Sequence, residues 1–457
     1  MEQAPKFSQV IKNPGFSNLW INQILVQLSY NSLNFALIIW VYRLTGSNTA
    51  VSMLLFSVYL PAVLLGLFAG VMVDIIDRKK IIITIDFFMS LLFISLVFLK
   101  DYYPAILITA FLLNSLAQFY TPAESSAIPL LVKKKELLQA NSLFITTLFL
   151  SFLVGYGLAG PAIAFLGINF VFIIGAILLF ISFILANRFP SITTKPNKLA
   201  LTLLDAIKNR KAWEFREVVR LEIGQTLSMV RGKLSVMASI LILAGVQVVI
   251  GVVGVLIPAY LERVIQISAT DASYVIISPL GVGMILGALT IGRLGNKIPR
   301  RKLVGSGIAV AGLILFLIGV APLISPAIQH FPKPKPLPFF HQPSLSLMLG
   351  ISSFLLGTAL VSIMIPTQTV LQESSPKEDR GKVFSVLAVA MSALSLIPVL
   401  FSGILADIFG TTPIFIFMGG VIAILGLFTL KPDFFFAEHH LPHKFRQFLG
   451  LGHWGGA

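Results

Sequence analysis

Cysteine is absent from the 457 residues, which excludes disulfides, a thiolate metal site and a cysteine nucleophile. Charge is scarce as well. Asp, Glu, Lys and Arg together make up 12% of the chain, where an average soluble domain carries roughly 25%. Acids are the scarcer sign, 19 against 34 bases, for a formal net charge of +15. No GxxxxGK[ST] loop occurs, which disfavours a nucleotide-driven pump, and there is no H-E-x-x-H pair. No Ser/His/Asp set stands out either, so the chain reads as a non-enzyme without cofactor. His439, His440 and His443 read as part of a solvated or interfacial tail rather than a metal site.

What fills the space is apolar: 56% hydrophobic residues and a mean hydropathy of +0.91. A bilayer core needs roughly 20 apolar residues per helical span. Twelve such runs occur, at 17–42, 50–73, 80–99, 104–128, 140–163, 168–187, 235–260, 272–293, 302–323, 346–371, 383–406 and 412–430. In lipid each must pair its own backbone groups, so each is expected to be a helix. The alternation of an outer-membrane strand is missing. The first run has no small-residue cleavage site behind it and reads as a retained span.

The basic excess is a topology signal. With twelve spans and the N-terminus inside, the outer segments hold only Arg43, Lys100, Arg263, Lys333 and Lys335, and the other 29 of the 34 Lys and Arg fall inside. That asymmetry expects both termini in the cytoplasm and no nucleic-acid partner. The hydrophilic segment 188–234 divides the spans six and six, so residues 1–187 and 235–430 form two halves and 431–457 a cytoplasmic tail. The segment reads as amphipathic helix lying on the inner leaflet's lipids, or alternatively as a solvated linker helix.

The halves repeat. "GVMVDIIDRKK" (70–80) matches "GRLGNKIPRRK" (292–302) at an offset of 222. Further on, Pro122 matches Pro366 at 244, and Gly160 and Gly167 match Gly403 and Gly410 at 243. A Pro-rich external loop, 324–345, accounts for the changed offset; proline at this density favours extended backbone. Two six-span halves in parallel repeat are the plan of rocker-type transporters, whose sites lie near the membrane midplane.

The Gly, Asp and basic cluster of "GVMVDIIDRKK" resembles the loop between spans 2 and 3 of the major facilitator superfamily. "NPGFSNLWINQ", "VYRLTGS", "YTPAESSAIPLLVKKKELLQANSL" and "IPTQTVLQESSPKEDRGKVFSVL" are similar to its macrolide-efflux-like branch, to which enterobactin-type exporters belong. The resemblance covers nearly the whole chain. It implies an all-α membrane fold of twelve helices in two pseudo-repeats. It also implies a gating role for Asp74 and Arg78, with Asn296 and Arg300 as their counterparts, and an inner gate joined by Asp379 and Arg380. The family usually carries Arg after the motif's Asp and often Gly before its Arg; Ile75 and Asp77 stand there. "GYGLAGPAIAFLG" resembles the Gly-Pro stretch of superfamily exporters, with plain helix packing as the other reading.

Span 1 carries an unusual set of amides. At 100° per residue, Gln23, Gln27, Tyr30, Asn31 and Asn34 fall on one face about 100° wide. Lipid is the wrong solvent for that face. Either it walls a neutral polar cavity together with Asn114, Gln118, Gln247 and Gln368, with Tyr120, Asn141, Thr146 and Gln372 as further candidates, or it bonds helix to helix. A neutral, Phe-rich site suits a bulky amphiphile. Asp86 and Glu124 are candidates for proton coupling; alternatively Asp86 complements its helix dipole and Glu124 pairs with Lys133–Lys135. The expectation is a monomeric, secondary-active exporter in a bacterial inner membrane. It would move a drug-like or siderophore-like amphiphile by proton antiport with alternating access. Lipid or lysolipid movement, or a non-transporting receptor or assembly partner, are the alternatives.

Overall fold

Lipid offers a backbone nothing to bond with, and the chain answers with helix throughout. The computed structural model describes residues 10–133, 136–191, 233–294, 298–328, 343–375 and 380–430, and among these there is no strand. Residues 192–232 of the linker, 329–342 of the Pro-rich loop, the tail, Asn296 and Asp379 lie outside the described residues, and the ends of the expected loop, 324–328 and 343–345, are helical. Twelve helices are long and apolar enough to cross a membrane. They are α1 (Pro14–Thr45), α2 (Asn48–Ile75), α3 (Arg78–Leu99), α4 (Tyr103–Leu131), α5 (Leu137–Leu166) and α6 (Ile168–Ala186). After these come α7 (Leu234–Ala259, carried on by a π-helical turn to Ile265), α8 (Ser278–Leu294, led into by short helical turns from Ala269), α9 (Arg300–Ile328), α10 (Pro343–Ser374), α11 (Arg380–Phe409) and α12 (Thr411–Leu430). Their exposed surface is oily: Phe165 is 86% and Phe417 74% exposed. Apolar residues left on the outside are what a hydrocarbon solvent requires.

The chain divides into two compact units, Met1–Leu44 with Phe56–Thr226, and Thr45–Leu55 with Leu227–Ala457. In the first, α3 packs along α6 and α4. In the second, α9 packs along α12, α8 along α10, and α7 along α11. Val236, Ile240 and Leu243 of α7 join Leu371 of α10 and Val383 and Leu387 of α11 in one apolar core.

The repeat is visible in local chemistry. Gly167 joins α5 to α6 and Gly410 joins α11 to α12, both with positive φ, +80° and +83°. The N–H of each reaches back to close the preceding helix, on Ile163 O at 3.1 Å and Ala406 O at 3.0 Å. This is the left-handed cap that glycine supplies without Cβ strain. Pro122 of α4 and Pro366 of α10 both sit inside their helices. The basic clusters agree too: Lys79 Nζ donates to Phe189 O at 2.7 Å, just past α6, and Arg301 Nε donates to Thr429 O at 3.0 Å near the end of α12. A cation on the last carbonyls of a helix complements its dipole. Asp77 caps α3 by accepting from Lys79 N at 2.9 Å, while its other oxygen accepts from Ser191 Oγ at 2.8 Å.

Close approach in the second unit depends on residues without side chains. A Cβ on Gly426 of α12 would lie 2.5 Å from Ala309 Cα of α9. Gly426→Val is therefore expected to cost about 1–3 kcal/mol through overpacking, read as a lower melting temperature in detergent. Gly292→Val, where nothing lies within 4 Å, is the control; equal melting of the two variants would refute the close α9–α12 contact.

Candidate functional site

The polar residues of α1 separate by face. Asn22 and Gln23, one residue apart, point about 100° from each other, and both are buried. Gln23 sits against α5, its Nε2 donating to Phe144 O at 3.3 Å; its Oε1 has no hydrogen-bond partner among the described residues. Trp20 Nε1, one turn earlier, donates to Thr147 Oγ1 of α5 at 2.7 Å.

Asn22 faces the other way, into a buried network of four helices. Its Nδ2 donates to Asp86 Oδ2 of α3 at 2.6 Å, and to Ser182 of α6, at O (3.2 Å) and Oγ (2.5 Å). Ser182 Oγ donates to the same Asp86 oxygen at 3.0 Å. Tyr120 Oη of α4 lies 2.8 Å from Asn22 Oδ1 and 3.1 Å from Glu124 Oε1. Exposure is 0% for Asn22, Asp86 and Ser182, 2% for Tyr120 and 4% for Glu124. Two carboxyls are thus buried in one polar cluster. Neither forms an ion pair with a cation among the described residues, an arrangement whose cost falls with protonation or hydrogen bonding. Arg78, itself buried, spends its Nε on Ser126 Oγ of α4 at 2.9 Å.

The readings of Asp86 as a helix-start charge and of Glu124 as a partner of Lys133–Lys135 do not describe this cluster. The hydrogen-bond partner of Glu124 is Tyr120. Among the described residues of the 4–5 loop, Lys133 N takes Glu136 Oε2 at 3.1 Å. Asn22 and Ser182 are the members that pattern reasoning on the sequence passes over. The signal for Asn22 was present, a further amide of α1 placed off the stripe.

Further along α1 the stripe becomes a second, half-buried cluster. Tyr30 Oη donates to Asn114 Oδ1 of α4. Asn114 Nδ2 and Gln118 Nε2 donate back along their own helix, to Ala110 O at 2.8 Å and Asn114 O at 3.4 Å. Asn34 Nδ2 does the same to Tyr30 O at 3.0 Å. Tyr59 of α2 and Tyr156 of α5 lie close enough to Tyr30 to interact electrostatically. Tyr156 also packs on Phe35 and Phe152, ring centroids 5.8 and 4.5 Å away. Asn31 stands against Gly155 of α5, where a Cβ would come within 2.8 Å of its own. Gln27 and Asn31 are half-buried, with their amides in neither the Asn22 network nor the Tyr30–Asn114 bond. The aromatic partners Tyr59 and Tyr156 give no sequence signal, since tyrosine in an apolar run reads as core.

Of the remaining candidates, Gln247 of α7 and Gln368 of α10 are half-buried within the second unit. Asp74 falls in the last turn of α2, and Arg380 opens α11. Arg300 pairs with Glu373 of α10 through both guanidinium nitrogens, at 2.5 and 2.9 Å, with both side chains about half exposed. An exposed pair of this kind contributes about 0–1 kcal/mol. At the other end of α11, the Asp407 carboxylate accepts from Ser47 Oγ (2.6 Å) and from the backbone N–H of Asn48 (2.8 Å) and Thr49 (2.9 Å). It therefore caps the first turn of α2. Among the described residues no group of three His, Asp or Glu is placed to hold a metal ion.

Known proteins share this plan. The model of the Major Facilitator Superfamily matches residues 19–331 and 240–448. Macrolide efflux protein A of Streptococcus pyogenes is 24% identical over 424 residues, covering 90% of this chain and 94% of that protein. The uncharacterized MFS-type transporter YfiS of Bacillus subtilis (strain 168) is 24% identical over 407 residues, 85% of this chain and 86% of its own. Among solved structures, an auto-inhibited POT family peptide transporter superposes with a TM-score of 0.70 at 13% identity, over 94% of this chain and 98% of its own. That likeness is one of fold.

Because Asn22 bonds to three other helices, Asn22→Leu strands donors and acceptors in an apolar interior. Each orphaned group costs about 1–3 kcal/mol. The variant is expected to melt well below wild type in detergent, while Asn31→Leu melts near it. A wild-type melting curve for Asn22→Leu would refute the network as a structural hub.

Proposed function

This chain belongs to the Major Facilitator Superfamily, and we propose that it is a secondary-active exporter of a drug-like or siderophore-like amphiphile, driven by proton antiport with alternating access. The observation that carries the reading is the pair of buried carboxyls with no cation partner among the described residues. An ionisable residue held inside a span is expensive, and transporters keep such groups to move protons. Asp86 and Glu124 are the only carboxylates buried among the described residues, so they are the coupling groups. Export, rather than uptake, follows the relatives named for macrolide efflux, which match 90% and 76% of this chain.

The substrate meets the half-buried surface of α1, α4 and α5. Gln27, Asn31 and Asn34 offer neutral donors and acceptors there, and Tyr30 and Tyr156, with Tyr59 of α2, offer ring faces. A wall of rings with a few neutral polar groups suits a bulky, mostly apolar molecule. Asp74, Arg78, Asn296, Arg300, Asp379 and Arg380 serve gating. A gating contact must be worth only a few kcal/mol, or one state would trap the protein. The protein acts as a monomer in a bacterial inner membrane with both termini cytoplasmic, an orientation the basic asymmetry supports.

Inside-out vesicles carrying the protein test this directly. With the lumen made acid, a macrolide, dye or siderophore is expected to accumulate, and Asp86→Asn or Glu124→Gln to lower that accumulation at least tenfold. Uptake indifferent to the gradient would refute proton antiport, and uptake confined to lysolipids would replace the substrate class. Gln27→Leu and Asn31→Leu are expected to lower flux at least tenfold with unchanged melting. Full flux in both would remove the amides from the substrate path.

A further inference from the structure

The buried network can be counted proton by proton. Asn22 Nδ2 faces Asp86 Oδ2 at 2.6 Å and the main-chain O of Ser182 at 3.2 Å. A main-chain oxygen can only accept, so the NH₂ end of the amide must lie there and Oδ1 must face Tyr120. Oδ1 also only accepts, which draws the single hydroxyl hydrogen of Tyr120 onto it across 2.8 Å. Tyr120 then has no hydrogen left for Glu124 Oε1, 3.1 Å away. Two bare acceptor oxygens at that distance, buried, would be left unsatisfied. The hydrogen between them must come from the carboxyl. On the other side, Asp86 Oδ2 accepts from both Asn22 Nδ2 and Ser182 Oγ, and its Oδ1 has no hydrogen-bond partner among the described residues.

We infer that this network holds a proton on Glu124, and that Tyr120 is the positioning residue that turns loss of that proton into a change at the α1–α4 contact. When the Glu124 proton leaves, the new carboxylate takes the Tyr120 hydrogen. Tyr120 Oη and Asn22 Oδ1 then face each other as two acceptors, and the bond between α4 and α1 is gone. The network gains one negative charge, and the departing proton accounts for it. No other acid intervenes. α1 carries only Arg43 as a charged residue and Tyr30 and Tyr42 as further titratable ones, α5 only Tyr156, and α6 none. On α4 the remaining titratable residue is Tyr103; on α3 Arg78 bonds Ser126, Lys79 bonds Phe189 O, and Lys80 shares the first turn. The switching role rests on the proton-antiport reading above; the placement of the proton does not.

Infrared spectroscopy of the purified protein in an ester-free detergent at neutral pH reads that placement without transport. Wild type is expected to show protonated-carboxyl C=O absorption with a Glu124 component that is missing in Glu124→Gln and shifted in Tyr120→Phe, where the carboxyl loses its acceptor. Absorption unchanged in Glu124→Gln, or none in wild type, would overturn the assignment. For the switching role, Tyr120→Phe is expected to lose at least tenfold in gradient-driven uptake while keeping substrate counterflow across vesicles without a gradient. Gradient-driven uptake at the wild-type rate would overturn it. Were the Glu124 component present as expected and wild-type flux indifferent to pH, the proton's placement would stand and the antiport reading would fall.

Discussion

Every polar group that enters lipid must bring its partner along, and that requirement organises this molecule at each scale. On the backbone it forces helix. At helix ends it recruits Asp77 onto the first turn of α3, and Lys79 and Arg301 onto the carbonyls that end the sixth helix of each repeat. Inside the bundle it makes Asn22 bond to three other helices at once. The same requirement explains why Ser and Thr in the helices so often bond back to their own preceding turn, as Thr367, Ser375 and Ser395 do. A hydroxyl with no outside partner settles for the carbonyl one turn earlier.

The two units meet the requirement differently. Three charged side chains are buried among the described residues, Arg78, Asp86 and Glu124, and all belong to the first unit. The second unit is held by apolar contact and by glycine. In it Arg300 and Glu373 pair at an exposed position, and its buried polar residues are hydroxyl side chains and Asn48. Repeat symmetry in the backbone therefore carries asymmetric chemistry: the buried charged side chains among the described residues in one half, close-packed helices in the other.

Helix number, span positions and the pseudo-repeat were legible in the sequence because a single solvent argument governs all of them. Gly167 and Gly410 could be paired by offset alone, and their matching left-handed φ follows from the same turn being built twice. The site was legible only in pieces. Asp86 and Glu124 were visible as acids in apolar runs, yet 38 residues separate them and nothing in the chain says that Tyr120 and Asn22 bridge them. The amide stripe was read from helical angle, which tells which residues share a face but not which neighbour that face meets. Gln23 turned out to meet α5, while Tyr30 met Asn114. Serine carries too little polarity to stand out in a run such as "LLFISFILA", so Ser182 had no sequence signal.

Gly167 and Gly410 have one more consequence. Each is the whole linker between its two helices, and each has its N–H committed to the helix before it. With φ at +80° and +83°, each joint holds a backbone conformation that an L side chain rarely adopts. The turn from α5 to α6, and from α11 to α12, is therefore made at one residue. For a spectroscopist, the two corners are matched landmarks: probes set at equal distances on either side of Gly167 and of Gly410 report the same turn in each repeat and can be compared directly.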